Sequence, residues 1–278
     1  MTGRAETDGV KTEGIRTNGI EIRYALSGTP GAPTVILSHG LAADLSMWEP
    51  QLEMLSQSFS VLCYDIRGHG GSSSTPGDYS LALLAQDVLA LMDALGIAKA
   101  HYIGLSLGGM IGQYLGAWHG DRFESLTLCA TTSDAPKASW HARVLEAREV
   151  GIAPLVNATV DRWITPAFQR EQPELVEKMR AMVLGTSLDG YAGSAAAIRD
   201  MELSGVLNRI AVPTLVIAGE EDKSTPLPVL ERIARSIPGA QWQAIPEAAH
   251  MPTMERPALC NPVIERFLLA SSRNHSLR

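Results

Sequence analysis

Cysteine is scarce in this chain: 278 residues include three, Cys63, Cys129 and Cys260, set far apart and without a C-x-x-C pair. That count and spacing exclude a disulfide framework and a zinc ribbon. Cys63 and Cys129 lie inside the apolar runs SVLCYDI and SLTLCA and read as buried structural thiols. Long hydrophobic runs are missing as well. No stretch approaches the ~18 apolar residues of a membrane span, and the polar start MTGRAETDGVKTEG has no apolar signal region. The expectation is a cytoplasmic protein with no membrane partner. Dense Lys/Arg clusters are absent and the formal net charge is −7, which makes nucleic acid a poor partner. An acidic balance still permits an anionic substrate, because a pocket arginine acts locally. With 45% apolar and 19% charged residues the composition is that of an ordinary globular protein. The length suits one large α/β domain or two small ones.

Cofactor signatures are lacking too. No histidine pairs with a cysteine or carboxylate at metal-ligand spacing, so no metal is expected. No G-x-x-x-x-G-K-[ST] occurs, and RGHGGSS at residues 67–73 carries Ser73 where a dinucleotide fingerprint needs its last glycine. No cofactor is expected. His69 and His119 read as solvated loop or helix-end residues, His101 opens a strand, His141 falls in the long helical stretch and His275 in the tail.

What is present is alternation. Residues 1–14 read as a disordered tail, and the final SSRNHSLR reads the same way. IEIRYAL has the period-two pattern of a strand, and PTVILS is a continuous apolar run of the kind a sheet buries on both faces. FSVLCYDI, AHYIGLS, FESLTLCAT, VPTLVIAG and AQWQAIPEAA read as further strands, interleaved with helical stretches such as SLALLAQDVLALMDALG and GMIGQYLGAWHG. From about residue 133 to 209 the alternation lapses into helix-like text punctuated by Pro136, Pro154, Pro166 and Pro173. The expected class is α/β: a doubly wound, mostly parallel sheet built from 15–132 and 210–271, with an α-helical lid at 133–209 inserted after the sixth strand.

The stretch GLSLGG, residues 104–109, follows one predicted strand and precedes a predicted helix. It places Ser106 in G-x-S-x-G. A nucleophile on a tight strand-to-helix turn takes a strained backbone conformation, and side chains at ±2 would collide with the neighbouring strand and helix. A serine hydroxyl needs a base to take its proton and an acid to orient that base. Both follow in the chain: PTLVIAGEED ends a strand at Asp222, with Glu220 and Glu221 as competitors, and AIPEAAHMPTMERP places His250 after the last strand. Acyl transfer also needs donors aimed at the developing oxyanion, each worth ~3 kcal/mol. The backbone N–H groups of Leu107 and of Leu41, just after His39-Gly40, are the candidates.

With SHGL, YDIRGHGGSS, GLSLGG, AGEED and AAHMPTMERP assembled, the chain resembles the α/β-hydrolase superfamily from about residue 15 to 270. Within it, HGLAADLSMWEPQL, DVLALMDALGI, RWITPAF and GYAGSAAAIRDMEL resemble the 3-oxoadipate enol-lactonases of aromatic-compound degradation. That family often has methionine where this chain has Leu107, a change that leaves the backbone donor intact. The resemblance implies a serine esterase acting on a small five-membered enol-lactone with a carboxylate arm. For that arm the lid offers Trp140, Arg143, Arg162 and Trp163, with Trp140 and Arg143 the first choices. The same triad would equally serve a carboxylesterase, another lactonase, a carbon–carbon bond hydrolase or a perhydrolase, and a non-catalytic receptor would have no need of Asp222 and His250. The partner implied is a small-molecule substrate. Homo-oligomerisation is left open.

Overall fold

Continuous apolar runs become the central strands of one sheet. The computed structural model describes residues 6, 7 and 10–273. Its strands are β1 (Glu6–Thr7), β2 (Val10–Thr17), β3 (Ile20–Gly28), β4 (Thr34–Ser38), β5 (Ser60–Tyr64), β6 (Ala100–Leu105), β7 (Phe123–Cys129), β8 (Thr214–Gly219) and β9 (Gln241–Ile245). They lie in the order β1-β2-β3-β5-β4-β6-β7-β8-β9. Strands β4 to β9 pair in parallel, while β1, β2 and β3 add an antiparallel edge through β3 against β5.

The helices are α1 (Glu49–Ser56), α2 (Leu81–Ala94), α3 (Leu107–Trp118), α4 (Lys137–Val150), α5 (Val156–Trp163), α6 (Pro166–Glu171), α7 (Pro173–Leu184), α8 (Leu188–Asp200), α9 (Leu227–Ser236), α10 (Pro252–Glu255) and α11 (Pro257–Arg273). They cover both faces of the sheet. Because side chains alternate along a strand, each parallel strand feeds two cores. Ile36, Leu62, Tyr102 and Val216 join Val88 of α2, Ile111 of α3 and Leu230 of α9 on one face. Val35, Leu37, Ile103 and Ile217 join Leu55 of α1 and Phe267 of α11 on the other.

Two expectations at the chain ends need correction. Residues 10–14, read as tail, belong to β2, which pairs with β3 from Thr12↔Ala25 to Thr17↔Ile20. The signal was the Asn18-Gly19 pair: both have positive φ, 45° and 78°, as a two-residue hairpin turn requires. At the other end, Ser271, Ser272 and Arg273 continue α11, with the Ser271 hydroxyl donating to Phe267 O at 2.9 Å. The remainder of both expected tails lies outside the described residues. Arg67 and Asp87 lock the hairpin to α2. Their ion pair is buried and two-pronged, at 2.6 and 2.8 Å, and the Asn18 amide donates to the same carboxylate at 2.6 Å. Removing one partner of such a pair costs about 3–5 kcal/mol.

Between β7 and β8 the described chain is helical, from α4 to α8, with α4 packed on α8. This stretch follows the seventh strand, not the sixth: β1 and β2 precede IEIRYAL, the first of five strand-like runs ahead of it. Pro166 and Pro173 stand at the first turns of α6 and α7, where the missing N–H has no intrahelical partner to lose. Strand order reverses at β4, whose neighbours β5 and β6 lie on opposite sides. A crevice therefore opens beyond the carboxyl ends of β4 and β6, the usual ligand position in a doubly wound sheet.

Candidate active site

Ser106 stands at that crevice, between the end of β6 and the start of α3, with φ 53° and ψ −110°. A non-glycine residue rarely holds such a backbone, and the neighbours over-determine it. The Ser106 N–H donates to Cys129 O at 2.9 Å, and Ser106 O accepts from Met110 N–H at 2.9 Å and from the Thr131 hydroxyl at 2.8 Å. Glycine at ±2 is a packing necessity. A Cβ on Gly104 would lie 2.2 Å from Gly108 O, and one on Gly108 would lie 2.2 Å from Ser38 O.

His250 follows β9 and Asp222 follows β8, and the two loops are tied by Glu221 N–H donating to Ala248 O at 2.9 Å. The Ser106 hydroxyl lies 3.0 Å from His250 Nε2, and His250 Nδ1 lies 2.8 Å from Asp222 Oδ2. With Nδ1–H donating to the carboxylate, Nε2 is free to accept the serine proton. Asp222 Oδ1 accepts the N–H groups of Ser224 and Thr225 at 2.7 and 3.1 Å, and the Thr225 hydroxyl donates to Oδ2 at 2.6 Å. Burial pushes the Asp222 carboxyl up, but His250 and Thr225 outweigh it and hold the group below the usual carboxylate range. Its sequence competitors Glu220 and Glu221 are exposed.

The two proposed oxyanion donors also meet here. Leu107 is the first residue of α3, so its N–H has no intrahelical acceptor. A Cβ on Gly40 would come within 3.4 Å of Ser106 Cβ, which brings the 40–41 peptide alongside the serine. His39 orients that peptide. Ile66 N–H donates to His39 Nε2 at 2.9 Å, so the ring proton is on Nδ1, which donates to Gly40 O at 2.8 Å. In a trans peptide the Leu41 N–H then points the opposite way from that carbonyl. Burial lowers the His39 pKa to about 4, so the ring is neutral.

A cavity of about 430 Å³ opens in front of Ser106 and His250. All four residues assigned to substrate from the sequence, Trp140, Arg143, Arg162 and Trp163, line it. The Arg143 guanidinium stacks 4.6 Å above the Trp140 ring, and desolvation together with Arg143 lowers the Arg162 pKa. Sequence reasoning missed Thr159, Tyr191 and Arg232, contributed by α5, α8 and α9. No local motif marks them, because three helices converge only after packing. Arg143, Arg162 and Arg232 make no ion pair among the described residues. Three guanidiniums and one carboxylate, Asp134, line the cavity, so its wall carries net positive charge.

The remaining described histidines and the cysteines do not join this site, and His275 lies outside the described residues. His69, expected in solvent, is fully buried: its ring packs 5.3 Å from His39 and its Nδ1 reaches Arg67 O at 3.1 Å. Burial, with His39 adding to it, lowers its pKa to about 3. His101 is buried between Ser125 and Ser272. All three cysteines are free and buried, and burial pushes the Cys260 thiol up to about 12. Among the described residues no three His, Cys, Asp or Glu side chains are grouped to hold a metal ion, and no helix is long and apolar enough to cross a membrane.

Known proteins share this fold. A family model described as the alpha/beta hydrolase fold matches residues 33–257. The chain is 34% identical to 3-oxoadipate enol-lactonase 2 of Acinetobacter baylyi over 250 residues, covering 90% of this chain and 93% of that one. The enol-lactonase of Burkholderia xenovorans LB400 superposes with a TM-score of 0.90 at 36% identity, covering 92% of this chain and all of its own. A malate-bound thermophilic esterase from Thermogutta terrifontis superposes at 0.87 with 30% identity, covering 94% of this chain and 98% of its own.

Proposed function

The chain belongs to the α/β-hydrolase fold family, and from that membership we propose that it is a serine hydrolase of a small lactone or ester carrying a carboxylate, with 3-oxoadipate enol-lactone as the best-fitting substrate. One observation carries the reading: the cavity that presents Ser106 and His250 also presents Arg143, Arg162 and Arg232 without carboxylate partners among the described residues. A carboxylate arm would rest on these guanidiniums, and helices α4–α8 would act as a lid over it. Relatives that share the scaffold include enol-lactonases, which supports the lactone.

In the proposed reaction the Ser106 hydroxyl oxygen attacks the ring carbonyl while His250 Nε2 takes its proton. The imidazolium is held by Asp222. The carbonyl oxygen, now an oxyanion, receives the N–H groups of Leu41 and Leu107, worth about 3 kcal/mol each. Collapse breaks the bond to the ring oxygen, which leaves as an enol on accepting the proton from His250. An enol is a better leaving group than an alkoxide, and it tautomerises to the ketone. His250 then deprotonates water, which attacks the acyl-enzyme, and the acid leaves with Ser106 regenerated.

A second reading, an esterase of small acidic esters, is favoured by the likeness to the malate-bound esterase. Hydrolysis of the carboxylated enol-lactone measured beside an open-chain carboxylated ester, monomethyl succinate, separates the two. A preference for the open-chain ester selects the second reading, and p-nitrophenyl acetate serves as the neutral control. Enol-lactone turnover with a large kcat/KM advantage is expected. A preference for the neutral ester would overturn the substrate and leave the serine hydrolase standing.

A further inference from the structure

Glu255, the last residue of α10, is a buried acid that the reaction above does not use. Its two carboxylate oxygens serve different parts of the chain. Oε2 accepts the N–H of Ala249, immediately before His250, at 2.5 Å. Oε1 accepts the N–H of Thr165 at 2.7 Å, across the corner between α5 and α6. A third bond joins the same two segments, with Met251 N–H donating to Trp163 O at 2.9 Å. The residues on both sides of His250 are thus bonded to the corner that follows Arg162 and Trp163, two residues of the cavity wall.

We propose that Glu255 is a positioning residue that clamps the His250 loop to the α5–α6 corner, so that the base and the Arg162–Trp163 wall keep one mutual placement. The proposal rests on the serine hydrolase reading. Two N–H donors arriving from separate segments need two acceptor atoms on one side chain. A carboxylate has them, whereas a glutamine amide offers one oxygen and turns its NH₂ toward the other N–H, donor against donor. Burial raises the Glu255 pKa and the two N–H bonds act the other way, and the clamp lies where water does not compete for the two oxygens. The two bonded segments are remote from each other in sequence: Thr165 and Ala249 are 84 positions apart, and only the folded chain brings them to one carboxylate.

The test compares Glu255→Gln with a change on the far side of the clamp. Thr165 already has φ −69°, and Ile164 before it is extended at φ −135° and ψ 157°, so both backbones suit a proline at 165. Thr165→Pro removes the donated N–H, while Thr165→Ala removes only the hydroxyl, which caps Phe168 N–H, and keeps the N–H. Both Glu255→Gln and Thr165→Pro are expected to lower kcat/KM by ~10- to 100-fold through a fall in kcat together with a rise in KM. Amide exchange should rise together in segments 163–168 and 247–252, with Thr165→Ala close to wild type in kcat. A merely structural acid predicts otherwise: a lower melting temperature with kcat and KM unchanged, or Thr165→Pro equal to Thr165→Ala, and either result overturns the clamp. Fluorophosphonate labelling of wild-type Ser106 is run alongside. An unreactive Ser106 would sink the hydrolase reading, while the paired exchange response still reports on the clamp.

Discussion

Thr225 donates its hydroxyl to Asp222 Oδ2 at 2.6 Å, and this is the same oxygen that receives His250 Nδ1 at 2.8 Å. The carboxylate therefore divides its electron density between two donors. The hydroxyl thereby helps to fix the carboxylate that orients the imidazole. In Thr225→Val kcat is expected to fall about tenfold, the equivalent of one hydrogen bond of about 1.4 kcal/mol. Thr225→Ser should restore it. A valine variant with the kcat of wild type would show that Thr225 only fills space.

Arg143 and Arg162 face one cavity without ion-pair partners among the described residues. If they hold a substrate carboxylate, removing either charge should raise KM for an acidic substrate by ~10- to 100-fold, since a charge-assisted hydrogen bond contributes about 1.5–3 kcal/mol. Neutral esters supply the control, and their KM should change less than threefold. Equal losses on acidic and neutral substrates would mean that the arginines shape the wall without reading charge. Arg143→Lys separates the two roles further, because lysine keeps the charge but loses the planar face stacked on Trp140.

What could be read from the sequence depended on whether a requirement was local. The glycines around Ser106, and the order of serine, acid and histidine at three strand ends, are local demands of turn and loop. Ser106, Asp222 and His250 accordingly stand hydrogen-bonded together. Asn18-Gly19 was an equally local hairpin signal that a reading of the polar N-terminus as tail passed over. His69 was misjudged for another reason. RGHGGSS looks like a solvent loop, yet Asp65, Arg67 and Asp87 give its polar groups internal partners, and the start of α8 covers it at Gly68–Gly190. Thr159, Tyr191 and Arg232 could not be found at all, since their convergence is a product of helix packing rather than of spacing.

Neutral buried histidines make stability depend on pH in a definite sense. His39 and His69 have pKa values lowered to about 4 and about 3 by burial. An unfolded chain protonates histidine near 6.5. Below that pH the unfolded state takes up protons that the folded state refuses, so stability falls as the pH drops and is unaffected above it. Asp65 opposes this from pH 6 downward, because burial lifts its carboxyl to about 6 and the folded state binds that proton first. Glu255, also raised by burial, adds to the opposition. Subtracting urea-unfolding free energies of His69→Phe from those of wild type cancels the carboxylates. The difference should change by about 1.4 kcal/mol per pH unit below about pH 6, with wild type losing more. A difference independent of pH would mean that His69 is protonated in the folded chain.

Ser106 holds φ 53° although it is not glycine, and that conformation costs about 1–3 kcal/mol. Glycine would tolerate the turn, at an entropic penalty of about 0.5–1 kcal/mol. Ser106→Gly should therefore unfold at higher urea than Ser106→Ala, by about 1 kcal/mol, while alanine keeps the strain and stays within about 0.5 kcal/mol of wild type. Both variants lose the hydroxyl and its bond to His250, so their turnover should fall by about 10⁴-fold or more alike. The comparison isolates the backbone, because the two differ in nothing but one methyl group. A glycine variant less stable than the alanine variant would show the turn to be relaxed. The expected order means that the chain holds a strained residue where an unstrained one would fold better, and the hydroxyl aimed at His250 is the only feature of that position that glycine cannot supply.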